Sequence, residues 1–239
     1  MLSMMRWAAL ATALSLTACT TVGQGGTQFD RRDPQRGKVT QSAVTHGPLV
    51  SVASPVMLRI IKETSKLELW RQGATGWTHV RSYGICRYSG NLGPKQRVAD
   101  MQAPEGFYEI TRRSLNPVSR EYLSINTGYP NAYDRTHGRT GSDVMIHGGC
   151  KSAGCFAMTD GSIEEIYAAV RDALDAGQRS IQLQIYPFEM TDARMANLPK
   201  GSNADFWRQL KAGWDYFERY QRPIPMGVAS GRYQLLDTR

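Results

Sequence analysis

The sequence contains no internal repeat and no apolar segment long enough to cross a bilayer as a helix. Its apolar stretch near the N-terminus, WAALATALSLTA, has only the length of a signal peptide. Basic residues exceed acidic ones, 29 to 21, but they are spread along the chain and are not interleaved with aromatic residues. This distribution lacks the pattern of a nucleic-acid-binding protein, so we expect no nucleic-acid partner and interpret the excess charge as a solvated surface.

The N-terminus predicts export from the cytoplasm. MLSMMR places a positive charge before the apolar stretch, which ends in LTAC at 16–19. An ordinary cleavage site has a small residue where this chain has Leu16. The segment instead resembles the lipobox of bacterial lipoproteins, which implies a signal peptide at 1–18 and a lipid-modified Cys19. Thr20 replaces the aspartate that retains such proteins at the inner membrane, so we expect a periplasmic protein anchored to the outer membrane of a Gram-negative bacterium. A plain signal peptide that happens to contain a cysteine is the alternative.

The remaining chain divides by composition into three parts. Residues 19–48 are rich in Gly, Gln, Thr, Arg and Asp and contain almost no bulky apolar residue, so we expect a flexible tether. Residues 49–222 are enough for one folded domain with a substantial core. Residues 223–239 are expected to form a C-terminal tail.

The apolar pattern predicts a domain that is mainly β with flanking helices, of the α+β class. Strands are expected at 56–61 and 67–70, as a hairpin, and then at 78–86, 107–111, 121–126 and 143–147. A helix is expected to start at a capping box of Ser162 and Glu165 and to end at Gly177. A strand at 180–186 and a last helix at about 203–220 complete the prediction.

The stretch HGGCKSAGCFAMTD, at 147–160, contains the residues of a thiol nucleophile and its base. His147 ends an apolar strand, and Cys155 lies in a glycine-flanked turn before the predicted helix. A thiol needs a base within hydrogen-bond reach and N–H donors for the developing oxyanion, which Gly154 and Cys155 themselves offer. Because the motif contains no acidic third member, a backbone carbonyl, such as that of Gly148 or Gly149, would have to orient the imidazole.

Three other interpretations of this stretch remain. His147, Cys150 and Cys155 could begin a zinc site, but a closed site needs a fourth ligand, and the other histidines lie singly at 46, 79 and 137. In an oxidising compartment the mature chain would contain Cys86, Cys150 and Cys155, of which one stays unpaired. Alternatively, His147 is a structural histidine at a strand end.

The residues also carry a family resemblance. IHGGCKSAGCFAMTD resembles the catalytic motif of the YkuD-type L,D-transpeptidases, in which a strand ending in His-Gly is followed by Ser-x-Gly-Cys. The blocks SGNLGPKQRVADMQAPEGFYEI, YLSINTGYPNAYDR and IYPFEMT extend the likeness to the DpaA (YafK)-type branch of that family, over about 56–220.

This resemblance implies a single L,D-transpeptidase catalytic domain that needs no cofactor or metal and acts on peptidoglycan. The thiol would attack the L-centre carbonyl of meso-diaminopimelate in a stem peptide and pass the acyl group to an amine or to water. By position, Cys155 matches the nucleophile, His147 the general base, and Ser152 and Gly154 the residues that shape the turn. Tyr129, Tyr133 and Arg139 match positions expected to bind substrate. DpaA-type members act as amidases, which implies release of a wall-attached lipoprotein in preference to cross-linking.

The sequence departs from the family pattern at two positions. Ala153 replaces the usual histidine between Ser and Gly, and Ala157 replaces the usual arginine two residues after the cysteine. The spacing from His147 to Cys155 is also shorter than in most of the family, so His137 is an alternative candidate for the general base. His137 follows a polar segment, whereas His147 ends an apolar strand. A lipoprotein that binds the wall without turnover is therefore the alternative function.

The resemblance also bears on the two other thiols. It places the loop after Cys86 beside the active site, close to Cys150, and we predict a Cys86–Cys150 disulfide that leaves Cys155 free. Pairing of Cys150 with Cys155, which would inactivate the enzyme under oxidation, and three free thiols are the alternatives.

Overall fold

A computed structural model describes residues 54–198 and 203–236. The predicted signal peptide at 1–18, the tether at 19–48 and Cys19 lie outside the described residues. All described residues belong to one unit. Within them, no helix combines the length and the apolar character that crossing a membrane requires.

A five-stranded mixed sheet forms the larger half of the fold, in the order β3-β2-β1-β10-β5. Its strands are β1 (Val56–Ile61), β2 (Lys66–Gln72), β3 (Trp77–Gly84), β5 (Gly106–Ile110) and β10 (Ile181–Tyr186). Every residue of β1 is buried, as expected for a central strand with both faces covered. β1 runs parallel to β10 and antiparallel to β2, which confirms the predicted hairpin.

A second five-stranded sheet, in the order β4-β9-β8-β7-β6, contains the candidate site. It consists of β4 (Arg87–Tyr88), β6 (Leu115–Ser119), β7 (Tyr122–Asn126), β8 (Met145–His147) and β9 (Phe156–Ala157). A 3-10 turn at Arg112–Ser114 leads into β6. The short β4 and β9 lie outside the sequence predictions, because two-residue strands leave no alternating pattern.

Four helices flank the sheets: α1 (Ala132–Thr136), α2 (Asp160–Asp175), α3 (Asp192–Ala196) and α4 (Ala204–Tyr220). The buried face of α2 joins the apolar residues of both sheets in one core cluster, which includes Leu58, Ile146 and Ile166. The fold class predicted from the sequence, mainly β with flanking helices, is confirmed.

The start of α2 corrects one prediction. Thr159 is the N-cap, and its side chain accepts the N–H of Ser162, so the helix starts at Asp160 and not at a capping box of Ser162 and Glu165. Glu165 instead accepts a hydrogen bond from Tyr83. Gly177, at φ +103°, follows the helix end as predicted.

Residues 226–235, which the sequence analysis assigned to a tail, form a hairpin of β11 (Met226–Ala229) and β12 (Arg232–Leu235). The Tyr233 hydroxyl accepts hydrogen bonds from the Phe107 N–H at 3.3 Å and from Asn131 Nδ2 at 2.8 Å. The Tyr233 ring stacks on Tyr133 with centroids 4.4 Å apart. The hairpin is therefore packed against the domain, because its one large aromatic side chain contacts both β5 and α1.

Candidate active site

Strand pairing brings the cysteine of the motif beside β8. β8 and β9 are parallel, with Ile146 opposite Phe156 and His147 opposite Ala157. Cys155 immediately precedes β9, and its Sγ accepts the N–H of Met145 at 3.4 Å. The turn between the two strands thus returns the thiol to the strand that carries the histidine.

The thiol of Cys155 is half-buried and neutral at rest. It contacts the carbonyl oxygen of Asp143 at 3.7 Å, toward which the S–H donates. Burial raises the pKa of Cys155, while the Met145 N–H and the charge of Lys95 act in the opposite direction. Because the thiolate is the reactive form, a base must remove the proton during any nucleophilic step.

His147 is oriented by the backbone. Its side chain is buried, with 5% relative exposure, and Nδ1 lies 2.7 Å from the carbonyl oxygen of Gly148. A carbonyl oxygen only accepts hydrogen bonds, so Nδ1 carries the proton and Nε2 is left as a proton acceptor. The sequence-based expectation that a backbone carbonyl replaces an acidic third member is confirmed for Gly148.

His147 and Cys155 line the same cavity, which has a volume of about 740 Å³. The turn between β6 and β7 and the loop after β8 complete its walls. The residues that contribute to this lining are Asn116, Val118, Ser119, Arg120, Glu121, Met145, Lys151, Ser152 and Ala153. We call it the histidine cavity.

The turn before Cys155 is held by Ser152 and Gly154. Ser152 Oγ donates to the carbonyl oxygen of Cys155 at 2.6 Å, which closes the turn. Gly154 has φ +108°, and a Cβ there would meet no atom within 4 Å, so backbone conformation and not space requires glycine. Among the described residues, neither the Gly154 N–H nor the Cys155 N–H has a hydrogen-bond acceptor. Both are available as oxyanion donors.

A second, smaller cavity of about 210 Å³ also reaches Cys155 and Gly154. Its other walls come from the loop after β4, including Lys95, and from the segment before β8, including Asp143. Lys95 Nζ donates to Asp100 Oδ1 at 2.5 Å and to the Arg97 carbonyl at 2.9 Å. The thiol therefore lies where two cavities meet, and both cavities give access to its sulfur atom.

A family model described as the L,D-transpeptidase catalytic domain, YkuD, matches residues 55–183. The chain belongs to this L,D-transpeptidase family. Escherichia coli YafK of strain K12, whose name assigns it provisionally to the L,D-transpeptidases, is 50% identical over 182 residues, covering 76% of this chain and 74% of that protein. The protein of Escherichia coli O157:H7 gives the same values. The family predicted from the sequence is confirmed.

Solved structures with a similar fold are more distant from this L,D-transpeptidase domain. The helical cell shape determining protein Pgp2 of Campylobacter jejuni is 16% identical, with a TM-score of 0.47, covering 77% of each chain. Bd1075 of Bdellovibrio bacteriovorus is 17% identical, with a TM-score of 0.39, covering 69% of this chain and 56% of that chain.

His137, the rival base, lies outside both cavities of this L,D-transpeptidase domain. Its Nδ1 lies 2.9 Å from the carbonyl oxygen of Tyr133, and its ring stacks on the Tyr133 ring with centroids 4.1 Å apart. Of the two histidines, His147 alone shares a cavity with Cys155, which favours it as the base.

Tyr129, Tyr133 and Arg139, which the resemblance implies as substrate-binding residues, all make packing contacts in the structure. None of them contributes to the described lining of either cavity. The Tyr129 hydroxyl donates to the Thr140 carbonyl at 3.1 Å, and Tyr133 lies between His137 and Tyr233. Arg139 is buried against Asp134, at 2.7 Å. Their role in substrate binding stays a prediction that rests on the family resemblance.

The structure contains a Cys86–Cys150 disulfide with a Cα–Cα distance of 5.2 Å, and Cys155 is the free cysteine among the described residues. The bridge matches the predicted pairing and ties β4 to the loop between β8 and β9. Cys150 is therefore unavailable as a zinc ligand. No group of three or more His, Cys, Asp or Glu side chains suited to a metal ion occurs within 54–198 and 203–236.

Sequence reasoning missed the charged residues of the histidine cavity. Arg120 and Glu121 form the two-residue turn of the β6–β7 hairpin, since Ser119 pairs with Tyr122. Lys151 lies in the motif itself, between Cys150 and Ser152, and nothing in the sequence assigned it a role. The adjacent opposite charges at 120 and 121 were the available signal, although such pairs are usually solvated surface residues.

Proposed function

We propose that this protein is a cysteine-dependent acyl-transfer enzyme of the bacterial cell wall, which attacks the L-centre carbonyl of meso-diaminopimelate in peptidoglycan stem peptides. The observation that carries the proposal is that Cys155 and His147 line one cavity, with the thiol protonated at rest and Nε2 of the imidazole left to accept a proton. A thiol, a base oriented by a fixed hydrogen bond and nearby N–H donors are the parts that thiol acyl chemistry requires.

The geometry supports a two-step reaction. His147 Nε2 takes the thiol proton as Cys155 Sγ attacks the carbonyl carbon, and the Gly154 and Cys155 N–H groups stabilise the oxyanion. The imidazolium then returns the proton to the departing amine, which leaves a thioester on Cys155. In the second step water or an amine attacks the thioester, His147 removes its proton, and the thiol is regenerated.

We favour hydrolysis, with release of a wall-attached lipoprotein, over cross-linking. The support is the resemblance to the DpaA (YafK)-type branch, together with the 50% identity to YafK. Both outcomes share the same thioester, so the choice depends only on which nucleophile reaches it.

We also propose that the protein is periplasmic and anchored to the outer membrane through a lipid on Cys19. The support is the LTAC segment at 16–19 and Thr20 after it. Cys19→Ser should abolish acylation and move the protein to the soluble periplasmic fraction or leave it as a precursor. Unchanged outer-membrane association of that variant would contradict the anchor.

The proposed activity is tested by incubating purified protein with isolated wall sacculi and analysing the released material by mass spectrometry. Wild type should release polypeptide from diaminopimelate, and Cys155→Ala should release none. New cross-links in place of release would reverse our preference for hydrolysis. Equal results for wild type and Cys155→Ala, with both proteins bound to the sacculi, would favour the non-catalytic wall-binding lipoprotein.

A further inference from the structure

Three charged side chains stand without partners in the histidine cavity. Arg120, Glu121 and Lys151 line it with solvent-exposed side chains, and none has a side-chain hydrogen bond or ion pair among the described residues. The smaller cavity differs, because its cation Lys95 is paired with Asp100. The histidine cavity thus presents charges of both signs that no protein group neutralises.

The fold places Glu121 close to the backbone that follows His147. A Cβ on Gly149 would lie 2.8 Å from Glu121 Oε2, and one on Gly148 would lie 2.9 Å from the Glu121 carbonyl oxygen. The β6–β7 turn therefore packs on the backbone directly after His147, and glycine at these positions permits the contact. Burial is the main cause of the raised pKa of the Cys155 thiol, and the negative charge of Glu121 adds to it.

We propose that this cavity binds a zwitterionic amino-acid centre, with Glu121 facing its ammonium group and Arg120 and Lys151 facing its carboxylate. A lone anion would meet the charge of Glu121, and a lone cation would meet two positive charges. A ligand that carries both charges on one carbon pairs with the acidic side chain and with the basic side chains at the same time.

This inference rests on the proposed function and names the part of the substrate that the site selects. When the L-centre carbonyl reaches Cys155 Sγ, the rest of the diaminopimelate side chain must occupy a cavity that Cys155 lines. That side chain ends in the D-centre, which carries a free amino group and a free carboxylate. The charged walls of the histidine cavity match that group. Arg120 and Lys151 would supply the positive charge that is missing where Ala157 replaces the family's usual arginine.

The test compares stem peptides that differ only at the D-centre: the free zwitterion, its carboxamide and its N-acetyl form. For wild-type protein, kcat/KM should fall by about three- to tenfold for each modified peptide, as expected for partly exposed charge pairs. Lys151→Met and Arg120→Gln should act less well on the zwitterion but lose the discrimination against the carboxamide. Glu121→Gln should lose the discrimination against the N-acetyl form only.

Arg179→Gln is the matched control, because Arg179 is exposed and lies outside the cavity linings. It should keep the wild-type preference for all three peptides. Equal kcat/KM of wild type on all three, or a uniform loss in the cavity variants, would overturn the inference.

Calorimetric binding of the same peptides to Cys155→Ala separates this inference from the proposed function. Preferential binding of the zwitterion without turnover by wild type would support the binding site and contradict the enzyme. Turnover by wild type with equal binding of the three peptides would support the enzyme and contradict the site.

Discussion

Lys62 Nζ lies 2.9 Å from Glu105 Oε1, and both side chains are fully buried. Lys62 immediately follows β1, and Glu105 immediately precedes β5. Desolvation lowers the pKa of Lys62, and the charge of Glu105 opposes that shift. The remaining hydrogen bonds of the pair involve the carbonyls of Asn91, Gly93 and Ala103, the Gly93 N–H and the Trp207 indole. The pair therefore fixes the loop that forms one wall of the smaller cavity.

Replacing Lys62 with Met should lower the free energy of unfolding by about 3–5 kcal/mol, because the Glu105 carboxylate would remain buried without its partner. Urea denaturation measures this loss. Arg112→Met is the control, since the Arg112–Asp175 pair is largely exposed, and it should cost about 0–1 kcal/mol. Similar losses of unfolding free energy for the two variants would show that the buried Lys62–Glu105 pair contributes no more to stability than an exposed pair.

His147→Gln should lower kcat on sacculi or stem peptides by about 10²–10⁴, as for loss of a general base. It should also slow alkylation of Cys155 near neutral pH, because burial keeps the thiol protonated without the imidazole. Circular dichroism should show an unchanged fold.

His137→Gln is the matched comparison, because His137 stacks on Tyr133 and lies outside the cavity linings. It should change kcat by less than about tenfold. The reverse order of the two variants would transfer the role of the base to His137.

The loop beside the smaller cavity should loosen in acid. Burial alone would raise the pKa of Asp100, but hydrogen bonds from Lys95 and from the N–H groups of Arg97, Gln96 and Gln102 together lower it from 3.8 to about 2. A carboxylate with a lowered folded-state pKa contributes stability that is present above its unfolded value and is lost as pH falls. Stability should therefore decrease from about pH 4 to pH 2.

Thermal unfolding between pH 2 and pH 7 checks this expectation. Asp100→Asn should be less stable than wild type at pH 7, and the difference should shrink toward pH 2. A difference that is constant across this range would mean that Asp100 stabilises the loop by its shape and not by its charge.

Local sequence patterns predicted the long elements and the motif that brings His147 and Cys155 to one cavity, because both depend on contacts close in sequence. The alternation of Ile181, Leu183 and Ile185 predicts a strand whatever it packs against, and these three residues are buried as expected. The start of α2 was misplaced because Thr159 and Ser162 are both good caps, and only the hydrogen bond to the Ser162 N–H distinguishes them.

Features that depend on distant partners were not predictable. Tyr133 lies within the segment YLSINTGYPNAYDR and Arg139 follows it, but the rings of Phe206 and Tyr233, far along the chain, determine where these two side chains pack. Tyr233 itself lies in a short hairpin with little apolar alternation. The cavity role of Glu121 likewise depends on its contact with Gly149, which sequence spacing does not show.

Reduction of the Cys86–Cys150 disulfide, or the double variant Cys86→Ser/Cys150→Ser, should lower the free energy of unfolding by about 4 kcal/mol, as expected for a bridge that closes a long loop. The sequence separation of the two cysteines is 64 residues. Chemical denaturation with and without reductant measures the loss.

Native protein should yield one alkylatable thiol within the described residues, at Cys155, and a Cys86–Cys150 peptide pair on non-reducing mapping. A Cys150–Cys155 peptide would instead indicate redox inactivation of the nucleophile.

Gly154→Ala should separate backbone conformation from packing at the catalytic turn. An added Cβ meets no atom within 4 Å, so the cost arises from φ +108° alone and should be about 1–3 kcal/mol of unfolding free energy. Relief of that strain would move the Gly154 and Cys155 N–H groups away from the oxyanion, and kcat should fall by about tenfold or more.

Gly161→Ala is the matched control for this substitution. Gly161 lies in the first turn of α2, a Cβ there also meets no atom within 4 Å, and its φ is outside the left-handed range. Alanine should therefore stabilise the helix by about 0.5–1 kcal/mol and leave kcat unchanged. If Gly154→Ala matched the control in both stability and kcat, the turn would not depend on a glycine conformation. The oxyanion donors would then have to be sought among other N–H groups around Cys155.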